Sequence, residues 1–248
     1  MKSIVGVFGL IWKLYILVIF MATTLLFYPI IAAKLIDTKG KMRAFRVFVF
    51  WSWTFRFLCL YGVKRLKNAP LPNGPYLIAA NHCSYLDIFL MYSILPKAPF
   101  LFLGKSEILR YPLIKTFFKR MNIPVHRKNR IKSARAIIKA GSEVRKGWSI
   151  MIFPEGEIPN SNHPTMVDFK QGAFQLAKSL SIPIVPITFT NNHKLFSDPT
   201  ELLGRAHPGI SKVFIHEFIS KDEVDRLSQN ELTKRCFDTI NAPILDLK

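Results

Sequence analysis

The chain has 248 residues, half of them hydrophobic, with 35 Lys and Arg against 16 Asp and Glu and a formal net charge of +19. That length holds one α/β domain with a full core plus an appendage, and a mean hydropathy of +0.20 argues against a multi-span transporter. So basic a chain needs an anionic partner; with no reading helix or RNA-binding aromatic motif in view, the expectation is a membrane phospholipid surface and no nucleic acid.

Residues 14–33 (LYILVIFMATTLLFYPIIAA) carry no charge and are long enough to cross a bilayer core as a helix. A cleaved signal peptide is the rival, but its apolar region is shorter, and Lys13 interrupts the wider apolar run. Lys34, Lys39, Lys41 and Arg43 follow the segment, against Lys2 and Lys13 before it. If it spans, the positive-inside bias leaves the rest of the chain on the cytoplasmic face.

Residues 44–62 set Arg46 and Arg56 among Trp51, Trp53 and several Phe. Arginine inside hydrocarbon is costly, so this stretch is expected to lie in the interface, with rings at headgroup depth and guanidinium groups reaching toward phosphates. Two ordinary core helices are the competing reading. Residues 1–60 are thus expected to form an apolar helical hairpin for membrane binding, and 61–248 an α/β domain.

From about residue 61 short apolar runs alternate with helical ones. Strands are predicted at Gly62–Lys67, Tyr76–Asn81, Phe100–Leu103, Ile123–Arg127, Ser149–Phe153, Ile184–Thr190 and Lys212–Phe218. Helices are predicted at 86–95, 111–120, 131–146 and 171–181. That alternation argues a layered α/β domain with a mixed, largely parallel sheet flanked by helices. Near the end, Ser220 with Glu223 and Ser228 with Glu231 have capping-box spacing, which predicts two closing helices.

Cys59, Cys83 and Cys236 are far apart and show no C-x-x-C spacing, and the six histidines are scattered. Reduced thiols and no metal site are expected.

The chemistry concentrates where predicted strands end, the usual position of active-site loops in α/β sheets. Asn81-His82-Cys83-Ser84-Tyr85-Leu86-Asp87 puts an imidazole five residues before a carboxylate. A turn between them lets the carboxylate take one ring N–H and frees the other nitrogen to accept a proton from a hydroxyl. A helix-capping histidine and an N-terminal helix charge are the plainer readings of the two residues. Cys83 suggests a Cys–His nucleophile, but chain neighbours seldom aim at each other usefully.

A second element, Phe153-Pro154-Glu155-Gly156-Glu157, can aim a carboxylate and offer backbone N–H groups to a ligand; taken alone, an ordinary tight turn is the favoured reading. The third, Ile182 to Ile187, has prolines at 183 and 186, which place it at a strand start or sheet edge. Lys105-Ser106-Glu107, Arg127 and Phe169-Lys170-Gln171-Gly172 can bring positive charge to the same edge. Backbone amides near Gly104 to Ser106, or near Gly156, are candidate oxyanion donors.

Together these elements resemble the 1-acylglycerol-3-phosphate acyltransferase family, part of the glycerolipid acyltransferases, over roughly residues 60–220. Asn81, His82 and Asp87 match its first motif; Lys105, Glu107, Pro112 and Arg127 partly match its second. Phe153, Pro154, Glu155 and Gly156 match the third, and Ile182 to Ile187 the fourth. The resemblance implies that Asp87 orients His82, which deprotonates a lysophospholipid hydroxyl for attack on an acyl thioester, carried by acyl-CoA or acyl-carrier protein, with no further cofactor. Where the family's third motif continues Gly-Thr-Arg, this chain has Gly156-Glu157-Ile158, and Leu113 stands where the second motif has glycine after its proline. Phosphate binding is then expected from Lys105, Arg127 and Lys170, with Glu155 and Gly156 also at the substrate. Rival readings are the same transfer to another lyso-lipid such as a lyso-ornithine lipid, a thioesterase using water, or a non-catalytic basic membrane-surface protein.

Overall fold

The computed structural model describes residues 2–37, 40–126, 129–159 and 165–246. Two helices come first, α1 (Lys2–Lys34) and α2 (Lys41–Leu58). The strands are β1 (Tyr61–Asn68), β2 (Leu77–Ala80), β3 (Phe100–Lys105), β4 (Ile123–Val125), β5 (Ser149–Ile152), β6 (Ile184–Phe189) and β7 (Gly209–Ile215). Between and after them lie α3 (Leu86–Ile94), α4 (Pro112–Met121), α5 (Arg130–Val144), α6 (Gly172–Leu180), the short α7 (Asn192–Leu195), α8 (Lys221–Arg226) and α9 (Gln229–Leu245).

The sheet runs β1-β7-β6-β2-β5-β3-β4. Among the described strands only the β6–β7 pair is antiparallel, so the sheet is mixed and largely parallel. In β2 and β6 every residue is buried, as expected of strands covered on both faces, whose sequences read as continuous apolar runs. The neighbours β6, β2, β5 and β3 are parallel. Their C-terminal ends therefore share one edge, and the loops leaving that edge build the site.

Both predicted capping boxes form. Ser220 and Ser228 accept from the backbone of Glu223 and Glu231, whose carboxylates reach back to the cap N–H groups. The strand predicted as Ile123–Arg127 ends at Val125, and Arg127 lies outside the described residues.

The two first helices are more closely tied to the domain than their composition suggests. Lys13 is buried, and its Nζ donates to Ser197 Oγ at 2.8 Å, Asp198 O at 3.0 Å and Glu201 O at 2.6 Å. An ammonium has three donors, and here all three are used. Four residues earlier a Cβ on Gly9 would meet Gly204 O at 2.6 Å, so only glycine permits this approach of helix to loop. Further along, Phe27 and Ile31 are buried, and Tyr28 Oη bonds Thr116 Oγ1 at 3.3 Å. On α2, Phe45, Phe48, Trp51 and Phe55 are buried, while Phe50, Trp53 and Phe57 are exposed.

One expectation is corrected here. Arg56 does not reach outward to lipid phosphates: it is buried, its Nε donates to Tyr61 O at 3.2 Å, and its guanidinium lies 4.4 Å from the Trp53 ring centroid. It locks the end of α2 onto the first strand.

Candidate active site

The loop leaving β2 turns at Asn81 into α3. Asn81 is buried and clamps β6, accepting from Phe189 N at 2.7 Å and donating to Phe189 O at 2.9 Å. That bond pair fixes where the next residue, His82, leaves the sheet.

His82 Nδ1 lies 3.0 Å from Asp87 Oδ2. Asp87, in the first turn of α3, is fully buried. Its Oδ2 also accepts from the backbone of Cys83 at 2.8 Å and Ser84 at 2.9 Å, and its Oδ1 from Asn192 Nδ2 at 2.7 Å. A buried carboxylate with four N–H donors has its oxygens satisfied by protein in place of bulk water. The bond to Asp87 assigns the proton to Nδ1, which leaves Nε2 as the basic nitrogen. The imidazole is stacked on Phe153, centroids 4.0 Å apart and planes 13° off parallel, so neither shift nor tilt is easy.

Glu155 acts from behind. Only 1 % exposed, it accepts from His82 N at 2.7 Å with one oxygen and from Val167 N at 3.0 Å with the other. Burial raises its pKa to about 7, against the two backbone N–H bonds that favour the anion. Glu155 was expected at the substrate; with both oxygens engaged by backbone it instead joins the His82 loop to the segment around Val167. Gly156, at φ +80°, turns the chain as a residue with a Cβ would not, and its N–H donates to Phe153 O at 3.0 Å. That amide closes the turn rather than waiting for an oxyanion.

In front of the ring opens a cavity of about 1490 Å³. Leu14, Leu17 and Phe20 of α1 and Trp51 and Phe55 of α2 line one wall. His82, Lys105, Arg110 and Gly156 line it too. An apolar cleft with few polar groups is the usual form of a small-molecule site, and this one suits an acyl chain.

Of the residues expected to bind phosphate, Lys105 is exposed on the cavity lining. Lys170 is exposed but does not line the cavity; its backbone N–H donates to Pro154 O at 2.9 Å. Cys83 is buried, its thiol pKa pushed well up by burial first and by Asp87 next, which makes it inert as a nucleophile.

Two residues escaped the sequence reading. Asn192 is fully buried and holds the far oxygen of Asp87; the available signal was a polar residue just past the end of a predicted strand. Arg110 lines the cavity at the end of the 3-10 turn Ser106–Arg110, where its spacing from Lys105 carried no message until the turn was known.

Comparison with known proteins follows the same lines. Residues 43–190 match the family model described as Acyltransferase. The chain is 30% identical over 173 residues, 69% of its length and 48% of the relative's, to the chloroplastic 1-acyl-sn-glycerol-3-phosphate acyltransferase of Brassica napus. It is 29% identical over 210 residues, 82% of its length and 69% of the relative's, to the 1-acyl-sn-glycerol-3-phosphate acyltransferase of Saccharomyces cerevisiae. The chain spans about half the length of the first of these relatives. In fold it is similar to the crystal structure of the 1-acyl-sn-glycerophosphate acyltransferase of Thermotoga maritima, with a TM-score of 0.76 at 19% identity, covering 100% of this chain and 98% of that one.

Proposed function

The chain belongs to the acyltransferase family, and we propose that it moves a fatty acyl group from acyl-CoA or acyl-carrier protein to the free sn-2 hydroxyl of 1-acylglycerol-3-phosphate, giving phosphatidate. The observation that carries this reading is an imidazole, hydrogen-bonded to a buried carboxylate at 3.0 Å, on the wall of a large apolar cavity. The acceptor's identity is supported by the names of the relatives.

A neutral hydroxyl is a poor nucleophile, and a positioned imidazole typically contributes about 10²- to 10⁴-fold. Nε2 of His82 takes the proton as the hydroxyl oxygen attacks the thioester carbon, and Asp87 stabilises the imidazolium that forms. Collapse of the tetrahedral intermediate breaks the C–S bond, and the thiol leaves with that proton. Lys105 and Arg110 hold the acceptor's phosphate by charge-assisted bonds. No cofactor enters.

The protein works at a membrane, with its catalytic domain on the cytoplasmic face. Residues Val5–Lys34 form a helix apolar and long enough to cross a bilayer. Its ties to the domain at Lys13 and Tyr28 favour a helix lying in the interface, apolar face toward the acyl chains. The test is direct: purified protein, a labelled acyl donor and lysophosphatidate in vesicles. Labelled phosphatidate formed in step with thiol release supports the reading; thiol release without any lipid product makes the protein a thioesterase.

A further inference from the structure

Residues that line the cavity and are also well exposed mark its open rim. On α1 these are Leu14, Leu17 and Met21. The same rim includes Leu202, from the loop after α7 whose base is closed by the bridge between Phe196 and Ala206. Leu202 is 66 % exposed and its neighbour Leu203 64 %.

That loop is fastened to α1. Lys13 Nζ holds Asp198 O at 3.0 Å and Glu201 O at 2.6 Å, the latter on the residue just before Leu202. Gly204 O lies against Gly9, and a Cβ on Gly6 would meet Leu203 Cβ at 3.2 Å. The two leucines therefore flank the first half of the helix. Its outward Val7, Ile11, Leu14 and Val18, three or four residues apart and so on one face, are at least half exposed.

The loop also pairs much of its own backbone. Ser197 N donates to Arg205 O at 2.8 Å, Glu201 N to Asp198 O at 3.0 Å and Gly204 N to Glu201 O at 2.8 Å. Closed turns lose less on leaving water than an open loop with unmet polar groups. Glu201 and Arg205, both exposed, bracket the leucines and limit their depth to the headgroup boundary.

We propose that loop 198–204 is a second membrane-contacting element. Leu202 and Leu203 enter the bilayer surface beside α1, and the rim made by Leu14, Leu17, Met21 and Leu202 opens to lipid, so that the acceptor slides in laterally. The Lys13 clasp sets the height of the loop against the helix. This rests on the interfacial placement of α1 proposed above.

Cys59, Cys83 and Cys236 are buried, so one introduced cysteine can carry an environment-sensitive fluorophore. The full chain is labelled at Leu202→Cys or at Val18→Cys, checked for native-like melting, and added to phosphatidylcholine–phosphatidylglycerol vesicles with or without brominated acyl chains. Blue-shifted emission at both positions, quenched by shallow bromines, supports the inference. Water-like, unquenched emission at position 202 while position 18 responds overturns it and leaves the helix placement standing; no response at either removes both. A blue shift at 202 already present without vesicles also overturns it, because a protein surface then covers the loop. Leu202→Glu with Leu203→Glu is the label-free check: vesicle partitioning should fall roughly tenfold and the acceptor's KM in vesicles should rise. Unchanged partitioning contradicts the inference.

Discussion

Strand β6 buries all six of its residues, whereas α1, whose residues 14–33 are equally free of charge, leaves Leu17, Val18, Leu25 and Leu26 more than half exposed. The sheet hides its apolar atoms inside the protein, and Asp87, buried in the helix that follows β2, has both of its oxygens hydrogen-bonded. Helix α1 presents its apolar atoms outward and buries a lysine instead. Apolar area costs roughly 25 cal/mol per Å² left in water, so the outward stripe of α1 makes sense against lipid. On the proposed membrane-bound reading the two regions answer to different solvents, and side chains from the first helices and from the sheet domain both line the cavity.

Changes on the catalytic side should destroy chemistry and spare membrane binding, and changes on the helix the reverse. Asp87→Asn has the largest expected effect of the graded variants: it disturbs the partner that sets the His82 proton, and kcat should fall by about 10²- to 10⁴-fold with vesicle flotation unchanged. Next comes Val18→Lys with Leu25→Lys. Each lysine costs roughly 2.5–3.5 kcal/mol deep in hydrocarbon and less in the interface, so flotation should drop by more than tenfold while detergent-solubilised activity stays within about threefold. A comparable loss of solubilised activity would show that the regions are not separable.

Asn192→Ala should be milder, about tenfold in kcat, because one donor to Asp87 goes and three remain. As a positioning residue it should lower kcat while leaving the acceptor's KM and the melting temperature close to wild type, whereas a purely structural residue would move the melting temperature. The smallest effect is confined to the sheet. His216 is buried, its Nε2 2.8 Å from Thr188 Oγ1, and burial, helped by Lys67, lowers its pKa to about 4. The unfolded chain, with an ordinary histidine near 6.5, binds the proton first. Stability therefore falls as pH drops from about 6.5 through about 4, and His216→Gln should flatten that limb in melting curves without altering membrane binding.

Much of this was legible in the residues. The strands were visible because buried parallel strands read as unbroken apolar runs, and both C-terminal helices because Ser-x-x-Glu is a local signal. His82 and Asp87 could be paired since a five-residue turn closes on itself. Asn192 could not, because its role depends on β6 lying beside β2, a neighbour set only by the sheet order. Lys13 looked like an interruption of an apolar run; its three oxygen partners come from a loop some 185 residues away. Lys170, expected at the phosphate, is exposed and off the cavity lining: proximity to the third motif in sequence does not decide which residues line a cavity.

The most direct measurement is a single sample of His82→Ala, assayed at once for phosphatidate formation and for vesicle flotation beside the wild type. Acyl transfer should fall by at least about 10²-fold while the protein floats as before. Transfer within tenfold of wild type by a protein that still floats would contradict this expectation, since another group would then be removing the proton.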